Sequence, residues 1–433
     1  MRRINFFGKI SIIALFLAVI GFSANAQNTD ALGTYTPYSL FGVGELEKQG
    51  TSFNKGMGGI GTGVRDNRYI NYLNPAAITA RDTLSFMFDF GASQKNFYNT
   101  DGKVESAFNT ANMQNVAFTA PIYNKSALIV GISPYSNIGY KFRENETDSE
   151  IIAKYGDIAY EKYGEGSINQ FFIGAATNIG EHFSVGAQML YYFGNLSRKS
   201  NVDFVTDLTI RDINTGWDYR VNALSAKAGV QYFNKINDKL DLTVGAAYRF
   251  ASNLEGDHVR YATAVGGGSA TDTIRMESIP GYKVEIPSEL SFGFSLRKQD
   301  KWMVGFDYMM QDWSGSEFGE DDNFKACASN SFRVGVEYIP NRHDIRYYLK
   351  RVTYRAGAYY DQTYFNIGGS QVEAYGFTFG MSMPVFRWYN AISWSVDMGQ
   401  RGSLDLNQVR ERYIQLNLNL NLHDLWFIKR KYN

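Results

Sequence analysis

The stretch YIQLNLNLNL, residues 413–422, alternates between aliphatic and uncharged polar residues after its first position. The two-residue period of a β-strand places Ile414 and the leucines on one face, and Gln415 and the asparagines on the other. A helix would scatter these side chains around its circumference. The polar face of a soluble sandwich normally carries charged residues and threonine, whereas a ladder of amides suits a crowded, wet interior. The pattern therefore predicts a strand between hydrocarbon and a polar lumen, as in a transmembrane β-barrel.

The same period-two pattern recurs along most of the chain, beginning with Leu84, Phe86, Phe88 and Phe90. Together with that first strand, the repeats predict an all-β, antiparallel transmembrane barrel of about fourteen strands, an even number typical of bacterial outer-membrane barrels. The further strands are predicted at residues 112–122, 126–142, 167–179, 183–204, 216–233, 240–255, 283–298, 301–313, 328–340, 351–363, 371–385, 389–401 and 409–422.

The connections between these strands alternate in length. One set, including residues 123–125 and 180–182, is mostly short, with 340–350 as an exception. The other set is longer and more polar, and is predicted at residues 95–111, 143–166, 205–215, 256–282, 314–327, 364–370 and 402–408. In an outer-membrane barrel the short turns lie in the periplasm and the long loops lie outside the cell. The alternation therefore predicts that both termini lie in the periplasm.

The chain begins as a secretory signal peptide. Basic residues precede an apolar run at residues 10–22, and Ala24-Asn25-Ala26 supplies a cleavage site, so residues 1–26 are predicted to be removed. The run is shorter than the roughly 20 residues that a membrane-spanning helix needs. The single cysteine, Cys327, excludes an internal disulfide, and the balance of 43 basic and 43 acidic residues argues against nucleic acid as a partner.

Residues 27–83 do not alternate and contain the glycine-rich run MGGIGTG at 57–63. This run lacks the Lys-Ser/Thr ending of a phosphate-binding loop, and it suits a chain folded tightly in a confined space. We expect this segment to fill the barrel formed by residues 84–422 as a plug, with residues 423–433 as a periplasmic tail. Arg65 and Arg68 are expected to pair with carboxylates that alternation points into the lumen. The alternative is an open pore with solvated charges.

The third predicted strand is interrupted. Pro134 cannot donate a ladder hydrogen bond, and regular strand character resumes only after Gly139. A kink over Pro134 to Gly139 would open a lateral gap in the barrel wall, and a local bulge without a gap is the alternative. In the loop that follows, Ile152, Tyr155 and Ala159 recur at helical spacing, which predicts a short helix over the barrel mouth.

The sequence offers no enzyme site. His182, His258, His343 and His423 are far apart along the chain and show no metal-ligand spacing. We therefore predict a protein that is not an enzyme and that has no cofactor, no catalytic residue and no metal site.

The glycine-rich N-terminal segment ending in Asn74-Pro75-Ala76, the strand number and the interrupted third strand together resemble the FadL family of outer-membrane transporters. Asn74-Pro75-Ala76 matches the hatch motif of that family, and the resemblance covers the whole mature chain. The chain departs from the family in its long loop after strand three, its short loop after strand five and its basic C-terminal tail.

The resemblance implies a monomeric outer-membrane barrel that passes long-chain fatty acids or similar hydrophobic small molecules by passive, plug-gated diffusion. Ligands would leave sideways into the bilayer near strand three, and so bypass the lipopolysaccharide layer. Some members of that family are adapted to secretion systems. The alternative function is therefore a structural or secretion-system partner barrel that binds proteins and does not transport lipids.

Overall fold

The structure is a computed structural model that describes residues 32–81, 85–123, 125–206, 210–266, 271–316, 318, 323–385 and 390–425. The predicted signal peptide and residues 426–433 lie outside the described residues. Fourteen antiparallel strands form one closed barrel, because the last strand pairs with the first from Arg410↔Thr100 to Leu425↔Ser85. The predicted fold is confirmed.

We number the barrel strands in chain order. Three strands are interrupted briefly and are given as two segments. The strands are β1 (Ser85–Thr100), β2 (Glu105–Tyr123), β3 (Ser126–Asn145), β4 (Ile158–Ile179), β5 (Phe183–Phe204), β6 (Asp212–Asn237), β7 (Leu240–Arg249 and Ser252–Val265), β8 (Thr271–Ile286 and Glu289–Lys298), β9 (Trp302–Asp312), β10 (Phe324–Ala326 and Ala328–Tyr338), β11 (Thr353–Ile367), β12 (Ser370–Pro384), β13 (Ala391–Arg401) and β14 (Arg410–Leu425).

The alternation that predicted the fold is present in β14. Leu418 is 45% exposed and Leu420 is 42% exposed on the outer face, whereas Asn419 is 1% exposed and Asn421 is 0% exposed on the inner face. The strand continues to Leu425, three residues beyond the predicted end of the barrel at 422. Among the described residues, no helix has the length and apolar character needed to cross a membrane.

Several strands extend into segments that the sequence predicted as loops. β4 begins at Ile158, within the predicted loop 143–166, while β7 and β8 together occupy most of the predicted loop 256–282. A span needs only about 9–11 residues per strand, so β4 to β8 project beyond a bilayer at the end with the long connections. We call this end of the barrel the loop end, and the end at Tyr123 and Ser126 the turn end.

The predicted helix in the loop after strand three is shorter than its spacing indicated. An α-helix occupies Ser149–Tyr155, capped by the Asp148 side chain, and it ends at Gly156 with φ of 78°. Ala159, which the helical pattern had included, belongs to β4 instead. Glycine in the left-handed region ends the helix because it carries no Cβ.

The described part of the N-terminal segment, residues 32–81, lies inside the barrel. It contains short 3₁₀ helices at Pro37–Leu40 and Pro75–Ala80, an α-helix at Ser52–Lys55, and a two-residue strand at Glu45–Leu46. We call residues 32–49 the strap and residues 50–81 the plug core. In the plug core Phe53, Met57 and Ile60 are each at most 1% exposed and pack into one apolar cluster.

Candidate functional site

The plug core rests against a belt of glycines on the inner face of the barrel. A Cβ added at any of these positions would collide with the plug core: at Gly357 it would lie 2.2 Å from the Gly58 nitrogen, and at Gly245 it would lie 2.0 Å from the Thr62 oxygen. The glycine belt places one residue on each of β5 to β12: Gly186, Gly229, Gly245, Gly293, Gly305, Gly335, Gly357 and Gly380. Because these residues carry no side chain, the plug backbone reaches the barrel backbone directly at six of them, and plug side chains pack against Gly229 and Gly305.

The Asn74-Pro75-Ala76 motif fixes the end of the plug core to β6 and β7. Asn74 caps the 3₁₀ helix by accepting a hydrogen bond from the Ala76 nitrogen at 3.0 Å. Its Nδ2 donates to backbone oxygens of Thr62 at 2.9 Å, Val230 at 3.2 Å and Ala246 at 3.3 Å. The single amide of Asn74 thus links backbone groups of the plug and of two strands.

Arg65 lies near the turn end and contacts no carboxylate among the described residues. Its guanidinium donates to Gln231 Oε1 at 3.1 Å and to Thr79 Oγ1 at 3.0 Å, and it lies 4.0 Å from the centre of the Phe233 ring. Burial lowers the pKa of Arg65 to about 10. Within the described ranges the partners of Arg65 are neutral acceptors, and its pairing with a carboxylate stays a prediction.

Arg68 is part of a buried ion-pair network between the plug core and the barrel. Its Nη2 lies 2.7 Å from Glu337 Oε1 and 2.5 Å from Asp66 Oδ2. Arg297 contacts both carboxylates, at 2.9 Å to Asp66 and 3.0 Å to Glu337, and Arg355 Nε lies 3.0 Å from Glu337 Oε2. Burial alone would raise the pKa of Asp66, but the charges of Arg68 and Arg297 outweigh burial and hold that pKa well below its usual range.

The lumen-facing carboxylate of Asp307 holds the plug in another way. Its Oδ2 accepts hydrogen bonds from the backbone nitrogens of Gly61 at 2.6 Å and Thr62 at 2.7 Å. Elsewhere, Ser295 Oγ donates to the Gly63 oxygen at 2.6 Å. The glycine-rich run is therefore held by its own backbone groups, a contact that no side-chain pattern in the sequence could indicate.

The strap makes a second set of charged contacts nearer the loop end. Glu45 accepts from Lys95 of β1 at 2.6 Å, from Arg401 of β13 at 2.9 Å and from Thr34 of the strap at 2.6 Å. Burial alone would raise the pKa of Glu45, but Lys95 and Arg401 lower it below the usual range. Sequence reasoning missed Glu45, since the strap shows no periodicity that would place it.

Lys48 of the strap also reaches the barrel wall. Its Nζ lies 2.9 Å from Asp397 Oδ2 and donates to Tyr413 Oη at 3.1 Å. The same ammonium lies 3.2 Å from the centre of the Tyr359 ring, whose hydroxyl donates to Asp397 at 2.8 Å. Two charged residues of the strap are thus paired on β1 and β13.

The β2–β3 ladder is incomplete. It runs from Tyr123↔Ser126 to Val116↔Ile132 and stops there, although β2 starts at Glu105 and β3 continues to Asn145. We call residues 105–115 of β2 and 133–145 of β3 the seam. On its other side β3 stays paired with β4 throughout, with a register shift between Pro134 and Ser136, and Gly139 pairs with Glu165.

The strap occupies the lower part of the seam. Glu45 and Leu46 pair with Asn137 and Ser136 of β3. The Glu47 nitrogen donates to the Tyr135 oxygen at 2.9 Å. On the β2 side, Asn112 Nδ2 donates to the Gly33 oxygen at 2.5 Å. The predicted kink at Pro134 to Gly139 therefore coincides with a break in the ladder whose lower part the chain itself fills, and whether this opens laterally stays a prediction.

A cavity of about 190 Å³ lies in the lumen between the strap and the barrel wall. Its apolar lining includes Tyr72, Phe172 and Leu190. Acidic and basic side chains also line it: Glu45, Glu47, Lys48, Lys95, Lys227, Arg249, Glu289, Arg333, Asp361 and Arg401. A purely apolar molecule in this cavity would take water from charged groups without replacing their hydrogen bonds.

A larger groove of about 560 Å³ lies at the loop end of the seam. Tyr35 of the strap stacks on Phe108 of β2 at 4.8 Å, and Tyr140 stacks on Phe142 of β3 at 5.5 Å. All four rings line the groove. We call it the outer groove; sequence reasoning missed it because its walls come from three separate segments.

The comparisons with known proteins show the family and the fold. The BamG family model matches residues 9–433, so the chain belongs to the BamG family. No curated protein matches the sequence. The FadL-type fold expected from the resemblance is confirmed by the solved structures that are similar to this chain.

Three of these structures illustrate the likeness. The Ralstonia pickettii toluene transporter TbuX is 15% identical with a TM-score of 0.59, and the match covers 86% of this chain and 98% of that one. The CymD monoaromatic hydrocarbon channel is 17% identical with a TM-score of 0.58, over 86% and 96%. A Pseudomonas aeruginosa FadL homologue is 12% identical with a TM-score of 0.54, over 87% and 98%. At these identities the likeness shows the fold alone.

Proposed function

We propose that this chain is a closed outer-membrane barrel that acts as a protein-binding subunit and passes no solute through its lumen. The observation that carries this proposal is that ten acidic and basic side chains line the lumen cavity between its apolar surfaces. Sites for hydrophobic small molecules are mostly apolar with few polar groups. Here Glu45, Lys95 and Arg401 face the same space, and the volume of about 190 Å³ is small for an acyl chain.

The seating of the plug core supports the same function. The plug core contacts the glycine belt on eight neighbouring strands, on six of them through its backbone, and its ion pair between Arg68 and Glu337 is buried. Breaking a buried ion pair by removing one partner costs about 3–5 kcal/mol, so displacing the whole plug core would be far more costly than a transport cycle driven by diffusion provides. Because a fixed plug closes the lumen, we assign the function to the outer surface of the barrel.

Native mass spectrometry and chemical cross-linking in intact membranes test this function. We expect the purified barrel to carry no stoichiometric acyl chain or hydrocarbon, and cross-linking to join it to one protein in a fixed ratio. A stoichiometric hydrophobic ligand that disappears when Leu190→Asp makes the cavity wall polar would contradict the proposal.

Transport of hydrophobic small molecules is the second candidate, and the interrupted β2–β3 ladder favours it. Toluene or long-chain fatty acids would enter at the aromatic outer groove and leave sideways at the seam near strand three, with the plug as a gate. The toluene transporter TbuX and the CymD monoaromatic hydrocarbon channel, which are of similar fold, support this candidate. Uptake of labelled toluene or oleate into proteoliposomes tests it: uptake no faster than in protein-free vesicles rules it out.

A further inference from the structure

We propose that the seam binds an extended polypeptide segment of the partner protein, which adds as a strand to the backbone edges of β2 and β3 at the outer groove. This inference rests on the proposed function, because it names the surface and the chemistry through which the protein partner binds. Recognition of an extended segment by a sheet edge uses backbone hydrogen bonds for affinity and side-chain pockets for specificity.

The first support is the shape of the ladder. Above Val116↔Ile132 the two strands no longer pair with each other, yet each keeps its other neighbour: Glu105 of β2 pairs with Thr100, and Asn145 of β3 pairs with Ala159. Two ordered sheet edges therefore face one another across the seam. Exposed edges in other proteins are covered or paired, because their backbone groups require partners.

The second support is that the lower seam already binds extended chain. The strap pairs with β3 at Asn137 and Ser136 and accepts a hydrogen bond from Asn112 of β2. The outer groove is the direct continuation of this interface toward the loop end. The chemistry that holds the strap is therefore available to a second extended segment immediately above it.

The third support is the lining of the outer groove, which contains an unsatisfied hydrogen-bond acceptor as well as apolar surface. Asn99 lines the groove and is 7% exposed; its Nδ2 donates to the Tyr35 oxygen at 3.0 Å. Within the described part of the chain, no donor reaches its Oδ1. A peptide nitrogen that donates to this buried oxygen would relieve a deficit of about 1–3 kcal/mol, whereas a hydrocarbon would leave it in place.

The rings of Tyr35, Phe108, Tyr140 and Phe142 complete the site. They offer apolar surface on both walls of the groove, which suits a segment with alternating apolar side chains. Lys141 and Arg143 also line the groove, with Asp101 opposite them. The groove thus combines backbone edges, aromatic pockets and a polar rim.

Photo-cross-linking in intact cells tests the site. A benzophenone amino acid is placed singly at Phe108, Phe142 and Ile274, the last a rim position of β8 that is 63% exposed and outside the groove. We expect adducts at Phe108 and Phe142 that map to neighbouring residues of one extended partner peptide, and no such adduct at Ile274. In the otherwise native protein, Phe142→Asp should reduce the Phe108 adduct at least tenfold, while Ile274→Asp leaves it unchanged.

Amide hydrogen exchange gives an independent readout. Residues 105–110 and 140–145 should exchange at least tenfold more slowly in native membrane vesicles than in the purified barrel reconstituted into the extracted lipids. Equal protection in lipid alone, or acyl-chain adducts at Phe142, would overturn the proposal by assigning the seam to lipid. A protein adduct at Ile274 alone would overturn the seam site while leaving the protein-binding function standing. Absence of protein adducts at all three positions, together with unprotected seam amides, would contradict the seam site and count against the function.

Discussion

The plug core and the strap belong to one N-terminal segment, yet the barrel holds them by different means. The plug core meets most of the glycine belt backbone to backbone and has ion pairs buried on β8 and β10. The strap instead adds a two-residue strand to β3 and pairs its charges on β1 and β13. The close backbone packing at the glycine belt leaves no room for another segment. Pairing at the edge of β3 uses backbone hydrogen bonds, which any extended segment can form. The comparison indicates a permanent plug beside an adaptable seam.

The largest expected effect comes from filling the glycine belt. Gly357→Leu places a side chain where a Cβ alone would lie 2.2 Å from the Gly58 nitrogen, so the plug core cannot seat. We expect a loss of about 4 kcal/mol or more in unfolding free energy, beyond the usual range for overpacking, because backbone cannot move aside. Urea unfolding in lipid vesicles measures it.

The matched control is Ala358→Leu, one residue further along β11, whose cross-strand partners Val334 and Phe377 are exposed on the outer face. It should change the unfolding free energy by less than about 1 kcal/mol. Equal effects of the two leucines would show that the glycine belt does not hold the plug core.

The next effect concerns the ion-pair network. Glu337→Gln removes a carboxylate that lies within 3.0 Å of Arg68, Arg297 and Arg355, and leaves Asp66 as the remaining acid of the network. We expect a loss of about 3–5 kcal/mol in unfolding free energy. Glu255→Gln, which breaks the exposed pair with Lys283 at 3.6 Å, should cost less than about 1 kcal/mol. A comparable loss in both variants would show that the buried network contributes no more to the free energy of unfolding than an exposed ion pair does.

A smaller and local effect is expected for the strap. Glu45→Gln weakens its contacts with Lys95 and Arg401 without touching the glycine belt. We expect residues 33–49 to exchange amide hydrogens about tenfold faster, equivalent to about 1.4 kcal/mol of local stability, while residues 50–80 stay protected. Equal loss of protection in both ranges would show that the strap and the plug core open as one unit.

The smallest effect is a gain in stability from Lys55→Met. Lys55 is 7% exposed, and burial lowers its pKa to about 8, from about 10.4 in an unfolded chain. The unfolded state therefore binds more protons between these pH values, so the wild type gains stability as pH rises from about 8 to about 10. The variant should be about 1–2 kcal/mol more stable at pH 7 and lack this rise in paired urea titrations. A rise of the same size in both proteins would contradict it.

The sequence predicted the barrel well because alternation is a property of single strands. Asn419 and Leu420 show the two faces without any knowledge of their neighbours. The extensions of β4 and β8 were missed because a projecting strand is exposed on both faces, as Thr271 to Met276 illustrate, and its sequence then lacks regular alternation.

The site was harder to predict because its contacts join distant segments. Arg65 and Arg68 are three residues apart, yet of the two only Arg68 reaches a carboxylate in the described part of the barrel, since register inside the plug decides which side chain meets Glu337. Pro134 marked the right strand, but the break in the ladder depends on β2, which carries no unusual residue there. From the sequence, the glycine belt could be recognised only as a high content of glycine.

Locking the plug core to the barrel tests the central claim most directly. The Ser52 nitrogen lies 3.2 Å from Asn419 Oδ1, so Ser52→Cys with Asn419→Cys, in a Cys327→Ser background, can join the plug core to β14. We predict that the oxidised protein retains its cross-linked partner in native membranes, and that neither the oxidised nor the reduced form takes up toluene or oleate faster than protein-free vesicles. Uptake by the reduced form that oxidation abolishes would contradict a permanent plug.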